Sequence, residues 1–501
     1  VQDFKSGFFP QEIVAGLAAA LDDLGDQPII VRSSSLLEDR LGSAFSGKYK
    51  SLFLANQGSK GMRLEALMAA VAEVFASTFS PDPIEYRVER GLIDYGEEMG
   101  VMIQEVVGTR VGRYFLPSYA GVAFSNNEFR WSPRIRREDG LLRLVPGMGT
   151  RAVDRLGDDY PVLVAPGQPG LRANVSVDEV LRYSPRRIDL IDLKTNQFVT
   201  VDLQQFIREH GNDLPGLNRM ISIYRDGHLE KPFGMEDLTE SDAVVTFEGL
   251  TASTPFVKRM KAILDTLKQA LGHPVDIEFA SDGEDFYLLQ CRPQSYAKEC
   301  RPAPIPRRIS PERVLFSARR HVSNGSVSGI SHIVYVDPRR YSELESQEEL
   351  LAVGRAVSAL NQALPRRQFI LIGPGRWGSR GDIKLGVNVT YSDINNTAAL
   401  IEVAFKKGNY VPDLSFGTHF FQDLVEANIH YLPLYPDDDQ VRFNEDFFTG
   451  SANALGRLAP EFAALERTVR VIDVPAVNEG RTMELLMNGD LDEAVAIFSR
   501  P

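Results

Sequence analysis

Val275-Asp-Ile-Glu-Phe-Ala-Ser-Asp-Gly-Glu-Asp-Phe-Tyr-Leu-Leu-Gln-Cys-Arg-Pro293 decides the fold. Two short apolar runs flank a turn centred on Asp282-Gly283, and polar residues recur at alternate positions, which predicts an antiparallel hairpin. Strand side chains alternate faces, so Asp276 and Glu278 share one face and Gln290 and Arg292 share one face. Ile277, Phe279, Leu289 and Cys291 form the apolar side. Glu278 and Gln290 meet across the hairpin only if the loop holds an odd number of residues. A two-residue Asp-Gly turn would pair Glu278 with Tyr287. A three-residue loop over Asp282, Gly283 and Glu284, with glycine at positive φ, is therefore the expectation. The wet face then carries carboxylates, an amide oxygen and a guanidinium: hard ligands for Mg²⁺ and a cation for phosphate. The plainer reading is a half-buried hairpin with one solvated face.

Further upstream, Pro28-Ile-Ile-Val-Arg-Ser-Ser-Ser35 reads as an apolar strand delivering Arg32 and three serines. Gly42, Ser43, Ser46, Gly47 and Lys48 follow in a stretch of small residues. Such residues let backbone N–H groups approach phosphate closely, with Arg32 and Lys48 supplying charge.

Together the two segments resemble the nucleotide-binding domain of the pyruvate phosphate dikinase and phosphoenolpyruvate synthase family, an ATP-grasp fold. The matching residues are Val31 to Ser34, Glu38-Asp39, Phe45-Ser46-Gly47, Asp276-Ile277-Glu278 and Leu289 to Pro293. The resemblance implies that Arg32 and Arg292 hold phosphates in transfer, and that Glu278 and Gln290 coordinate Mg²⁺. It adds Ser33, Ser34, Gly47 and Lys48 to the ATP contacts. Val101 to Val107 looks like the family's hinge strand, whose backbone pairs with adenine around Gln104, Glu105 and Val107. The family's upstream Gly-Gly-Lys has no counterpart before Arg32, which suggests a fragment or a processed chain. Asn126-Asn127 follows Gly121-Val-Ala-Phe-Ser125 where the family places arginine. Thr150 replaces the glutamate of a Gly-Leu-Gly-Glu segment.

Composition agrees with a large globular protein: 501 residues, 43% hydrophobic and 25% charged. A net charge of −13 argues against nonspecific nucleic-acid or anionic-membrane binding, which needs basic surfaces. Cys291 and Cys300 show no metal spacing and no disulfide framework, consistent with a reducing cytoplasm. No apolar run reaches the roughly 20 residues that cross a bilayer.

Helical periodicity marks residues 10–25 and 62–79, the latter with Leu64, Leu67, Val71, Val74 and Phe75 on one side. Strands are expected around 188–193 and 198–203, then helices over 204–210 and 255–271, with Ser253-Thr254 as a cap. Residues 300–311 hold four prolines and read as an extended linker. The expected fold is α/β (α+β): an ATP-grasp domain over 1–298, a linker over 299–311, and a smaller α/β domain over 312–501. That last domain resembles a degenerate swivelling phosphohistidine domain, since Val322-Ser-Asn-Gly-Ser-Val-Ser-Gly329 matches its opening.

In the dikinases a loop comparable to Gly373–Asp382 carries a Ser-His pair that ferries phosphate; here Arg380 follows Ser379. Gly373-x-Gly375-x-x-Gly378 also has dinucleotide-loop spacing, but no adequate helix follows, so a structural turn or a phosphate loop using Arg376 and Arg380 is favoured. His419, in Ser415-Phe-Gly-Thr-His-Phe-Phe421, is a candidate phosphoryl carrier or general base, against a histidine bonded in a packed turn. Residues 482–498 read as one or two helices. The resemblance implies an ATP- and Mg²⁺-dependent phosphotransferase acting on a small carboxylate such as pyruvate, with a nucleotide-binding regulatory module without turnover as the alternative.

Overall fold

A computed structural model describes residues 7–38, 49–89, 92, 98–128, 130–132, 134–153, 160–232, 242–294, 301–378, 384, 386–405, 414–415, 420–421, 424 and 427–499. The chain divides into two units. One comprises residues 1–127, 137–154 and 158–294; the other comprises 128–136, 155–157 and 295–501.

In the first unit, β1 (Ile29–Ser35) is flanked by β2 (Ser51–Leu54) and β3 (Met99–Glu105), both antiparallel to it. Helix Lys60–Ser77 packs on this sheet because Leu67, Val71 and Val74 fall on one side and meet Ile29 and Val31. The Ser59 hydroxyl caps it by accepting from the Met62 N–H at 3.3 Å. Helix Gln11–Leu24 contributes Leu21 to the same core.

The larger part of this unit is built from β4 (Thr109–Val111), β5 (Tyr114–Leu116), β6 (Tyr119–Phe124), β7 (Leu141–Pro146), β8 (Val162–Val164), β9 (Arg187–Asp192) and β10 (Gln197–Asp202). It is completed by β11 (Ile221–Arg225), β12 (His228–Glu230), β13 (Asp242–Val245), β14 (Val275–Ser281) and β15 (Phe286–Pro293). Five of these strands form a sheet ordered β15-β14-β6-β7-β8. Helix Phe256–Leu271 covers its apolar face, burying Phe256, Val257, Met260 and Leu264 against Ile277 and Phe279. The Thr254 hydroxyl accepts from the Phe256 N–H at 3.2 Å, and Gly272 ends the helix at φ 74°.

The β14–β15 hairpin does place Glu278 opposite Gln290, but not through the expected three-residue loop. Ser281 pairs with Phe286, leaving a four-residue turn, and the register then shifts between Glu278 and Phe279. Four residues alone would pair Glu278 with Leu289; a bulge restores the pairing by absorbing one residue. Gly283 adopts φ 104°, and a Cβ there would lie 2.4 Å from the Pro215 Cβ.

The second unit stacks two sheets and a helical layer. Strands β18 (His332–Val336), β19 (Phe369–Pro374), β20 (Ala399–Val403) and β21 (His430–Leu434) are parallel, with β22 (Val469–Asp473) antiparallel to β18. Alternate residues serve two cores, as expected for strands covered on both faces. Val334, Leu371 and Leu400 meet helix Gln347–Ala363, whereas Ile333, Ile370 and Ile401 meet the second sheet. That sheet runs β16 (Val314–Ala318), β24 (Glu493–Phe498), β23 (Met483–Asn488), β17 (Gly325–Ile330).

The helical expectation for 482–498 is therefore overturned: this segment is the β23–β24 hairpin. Met483, Leu485 and Met487 alternate inward with a period of two, and burial in the inter-sheet core outweighs the helix propensity of Met, Leu and Glu. Nor does a dinucleotide-type helix follow Gly378 among the described residues. Gly375 bridges instead to Gly386, and the Trp377 ring folds back over Gly373.

Candidate functional site

Four of the residues singled out from sequence converge in the first unit. Arg32, on β1, reaches across to the hairpin 246 residues later. Its Nη1 donates to Glu278 Oε2 at 3.2 Å and its Nη2 donates to Gln290 Oε1 at 2.5 Å. One guanidinium fork thus bridges both oxygen-bearing side chains. Arg292, opposite Asp276 in the ladder, donates from Nε to Asp276 Oδ2 at 3.1 Å and lies with Nη2 3.7 Å from Glu278 Oε1. Burial works against the Arg292 charge, but Asp276 and then Glu278 outweigh it and hold its pKa above the ordinary arginine value. The cluster contains two cations and two anions, its arginine side chains 12% and 9% exposed.

Strand alternation sets which side chains face the cluster. On β1, Arg32 and Ser34 lie on one face, while Ser33 lies on the buried face with Ile29 and Val31. Gln104 and Glu105 stand opposite Ile30 and Ile29 in the β1–β3 ladder, and the Val106 N–H donates to the Pro28 carbonyl at 2.8 Å, just before Val107. Strand β3 is an outer strand of its three-stranded sheet. Gly47, Lys48 and His419 lie outside the described residues.

Asp276, read from sequence only as a carboxylate on the wet face with Glu278, fixes the Arg292 guanidinium. Arg143 was given no site role by sequence reasoning. Arg143 follows in the cross-strand row Gln290–Glu278–Val122–Arg143. Its guanidinium lies 5.1 Å over the Phe124 ring and donates to the Ala152 carbonyl at 3.4 Å. No contiguous motif advertises that row.

The Gly147–Thr150 turn is anchored by buried Asp189. The Thr150 hydroxyl donates to Asp189 Oδ2 at 2.6 Å, and Arg151 Nε donates to Oδ1 at 2.9 Å.

Trp377 and Ser415, described residues of the two second-unit motifs, meet around Glu402, on β20. Its fully buried carboxyl accepts from the Trp377 N–H at 2.8 Å, the Ser415 N–H at 2.6 Å and hydroxyl at 2.5 Å, and the Tyr431 hydroxyl at 2.7 Å. Burial pushes its pKa up to about 7, against those donors, which pull it down. Arg376 is 1% exposed.

Glu278 and Gln290 already converge on a common cation, so their oxygens suit a hard metal ion. Among the described residues no group of three or more His, Cys, Asp or Glu side chains could hold a metal.

Two guanidinium groups, one from β1 and one from the β14–β15 hairpin of a second sheet, thus stand beside the Glu278 and Gln290 side-chain oxygens. Residues 1–312 match the family described as "Pyruvate phosphate dikinase, AMP/ATP-binding domain", and the chain belongs to that family. It is also 23% identical over 292 residues to the phosphoenolpyruvate synthase of Deinococcus radiodurans. That match covers 57% of this chain but only 30% of the relative. ATP is accordingly a ligand of the domain.

Proposed function

We propose that this chain binds ATP with Mg²⁺ at the Arg32/Glu278/Gln290/Arg292 cluster and transfers a phosphoryl group in the manner of the dikinases. The observation carrying this reading is the double contact of Arg32 with Glu278 and Gln290, groups from distant elements that agree in chemistry and direction. Glu278 and Gln290 would hold the metal, which would supply positive charge to offset that of the phosphates. Arg32 and Arg292 orient the phosphates and offset their charge. The outer edge of β3, at Gln104 to Val107, takes the adenine, with Ser33, Ser34, Gly47 and Lys48 as further phosphate contacts. The acceptor is His419, or a small carboxylate such as pyruvate. The whole lies in the cytoplasm; among the described residues no helix is long and apolar enough to cross a membrane.

The second reading is a nucleotide sensor without turnover. Arg380, which stands where the dikinases carry histidine, favours it, because a guanidinium cannot accept and pass on a phosphoryl group.

Calorimetric titration with ATP and Mg²⁺ is expected to show binding that Glu278→Ala weakens by at least about tenfold, roughly 1.4 kcal/mol. Undiminished binding in Glu278→Ala refutes the metal assignment. ³²P-labelled protein accompanied by AMP or ADP supports transfer, and loss of that label in His419→Ala identifies the carrier. Tight binding with neither label nor product leaves the sensor reading.

A further inference from the structure

The two proposed metal ligands already hold a cation: the Arg32 guanidinium bridges Glu278 Oε2 and Gln290 Oε1. We infer that Arg32 is a latch that reserves the metal seat, so that a divalent ion enters only when nucleotide phosphates draw this guanidinium away. The inference rests on the proposed metal site and adds its regulation.

The electrostatics of the cluster support this. Arg32 and Arg292 face Asp276 and Glu278 in a largely buried setting, with Glu38 also acting on Arg292. A bare dication placed at Glu278 and Gln290 would stand beside two guanidinium groups and be repelled by both, in surroundings that screen poorly. Polyphosphate offsets that repulsion and offers Arg32 better acceptors, since a guanidinium fork matches phosphate as well as carboxylate.

Arg292 does not share this freedom. Its Nε is held by Asp276 at 3.1 Å, and it lies 3.7 Å from Glu278, outside hydrogen-bond range. The two arginines therefore differ in role: one fixed, one exchanging carboxylate for phosphate. Coupling between phosphate and metal is reciprocal, so each ligand should tighten the other.

Mn²⁺, a paramagnetic substitute for Mg²⁺, is titrated alone into the full chain, with bound metal read by electron paramagnetic resonance and folding by circular dichroism. The wild type is expected to bind Mn²⁺ weakly. Arg32→Met, which leaves Asp276 and Glu278 facing only Arg292, should bind it roughly 5- to 150-fold more tightly, the range of ordinary coupling energies. Adding Glu278→Gln to that variant should remove the gain. If Arg32→Met does not fold, Arg32→Lys serves instead, because a single ammonium lacks the fork that bridges both oxygens; it should show part of the gain. Equal Mn²⁺ affinity in wild type and either folded variant, with Glu278 still required, overturns the latch and leaves the metal site standing. Metal–nucleotide binding indifferent to Glu278→Gln in the wild type overturns the metal site and the latch with it.

Discussion

At neutral pH the carboxyl of Glu402 sits near its own titration point, pushed up to about 7 by burial against the pull of its donors. Its ordinary value is 4.5. Between those limits the folded chain keeps a proton that the unfolded chain has lost. Stability from this residue therefore falls as pH rises through that window and levels off above about 7, a total of roughly 3 kcal/mol. Glu402→Gln, which has no proton to lose, should flatten the thermal-melting profile between pH 5 and 7; an unaltered slope would show that another group governs it. Asp276 presents the opposite case, a carboxylate paired with a buried guanidinium. Asp276→Asn is expected to lower stability by about 3 kcal/mol in urea denaturation, because breaking such a pair strands the Arg292 charge. It should also weaken ATP binding, since Arg292 loses its anchor.

Among the elements, the β14–β15 hairpin shows what a sequence exposes and what it hides. The shared face of Glu278 and Gln290 was legible because strand periodicity is local. The loop was misjudged because a four-residue turn plus a bulge and a three-residue turn without one keep the same parity. Gly283 was legible as the positive-φ residue; Gly283→Ala should lower the urea midpoint by about 1–3 kcal/mol of stability, with both the left-handed backbone and the Pro215 contact opposing a methyl group. The C-terminal hairpin was misread for a different reason: Met483-Glu-Leu-Leu-Met-Asn488 has helix-forming residues, and only the second sheet beneath it reveals the alternation. The start of helix Phe256–Leu271 fared better because Thr254, one of the two cap residues named from sequence, bonds the Phe256 N–H locally. Ser346, which accepts from the Glu349 N–H at 3.1 Å in a capping box, is expected to contribute about 1 kcal/mol to helix Gln347–Ala363, measurable as the loss on Ser346→Ala.

For the molecule as a whole, each unit carries its own apolar cores. Differential scanning calorimetry should accordingly resolve two transitions, and ATP with Mg²⁺ at about 100 times the dissociation constant should raise only one, by roughly 2.7 kcal/mol. A joint shift of both would mean that the units unfold as one. At this scale sequence reasoning put Arg32, Glu278, Gln290 and Arg292 together but did not show how they meet, because the Arg32 contact spans 246 residues and no local pattern encodes it. That separation has a consequence during synthesis. A ribosome making this protein must release Glu278 before the guanidinium at residue 32 can form the contact that ties the opening sheet to the late hairpin. Premature termination anywhere earlier yields a polypeptide in which Arg32 lacks that partner, however well its opening sheet has folded.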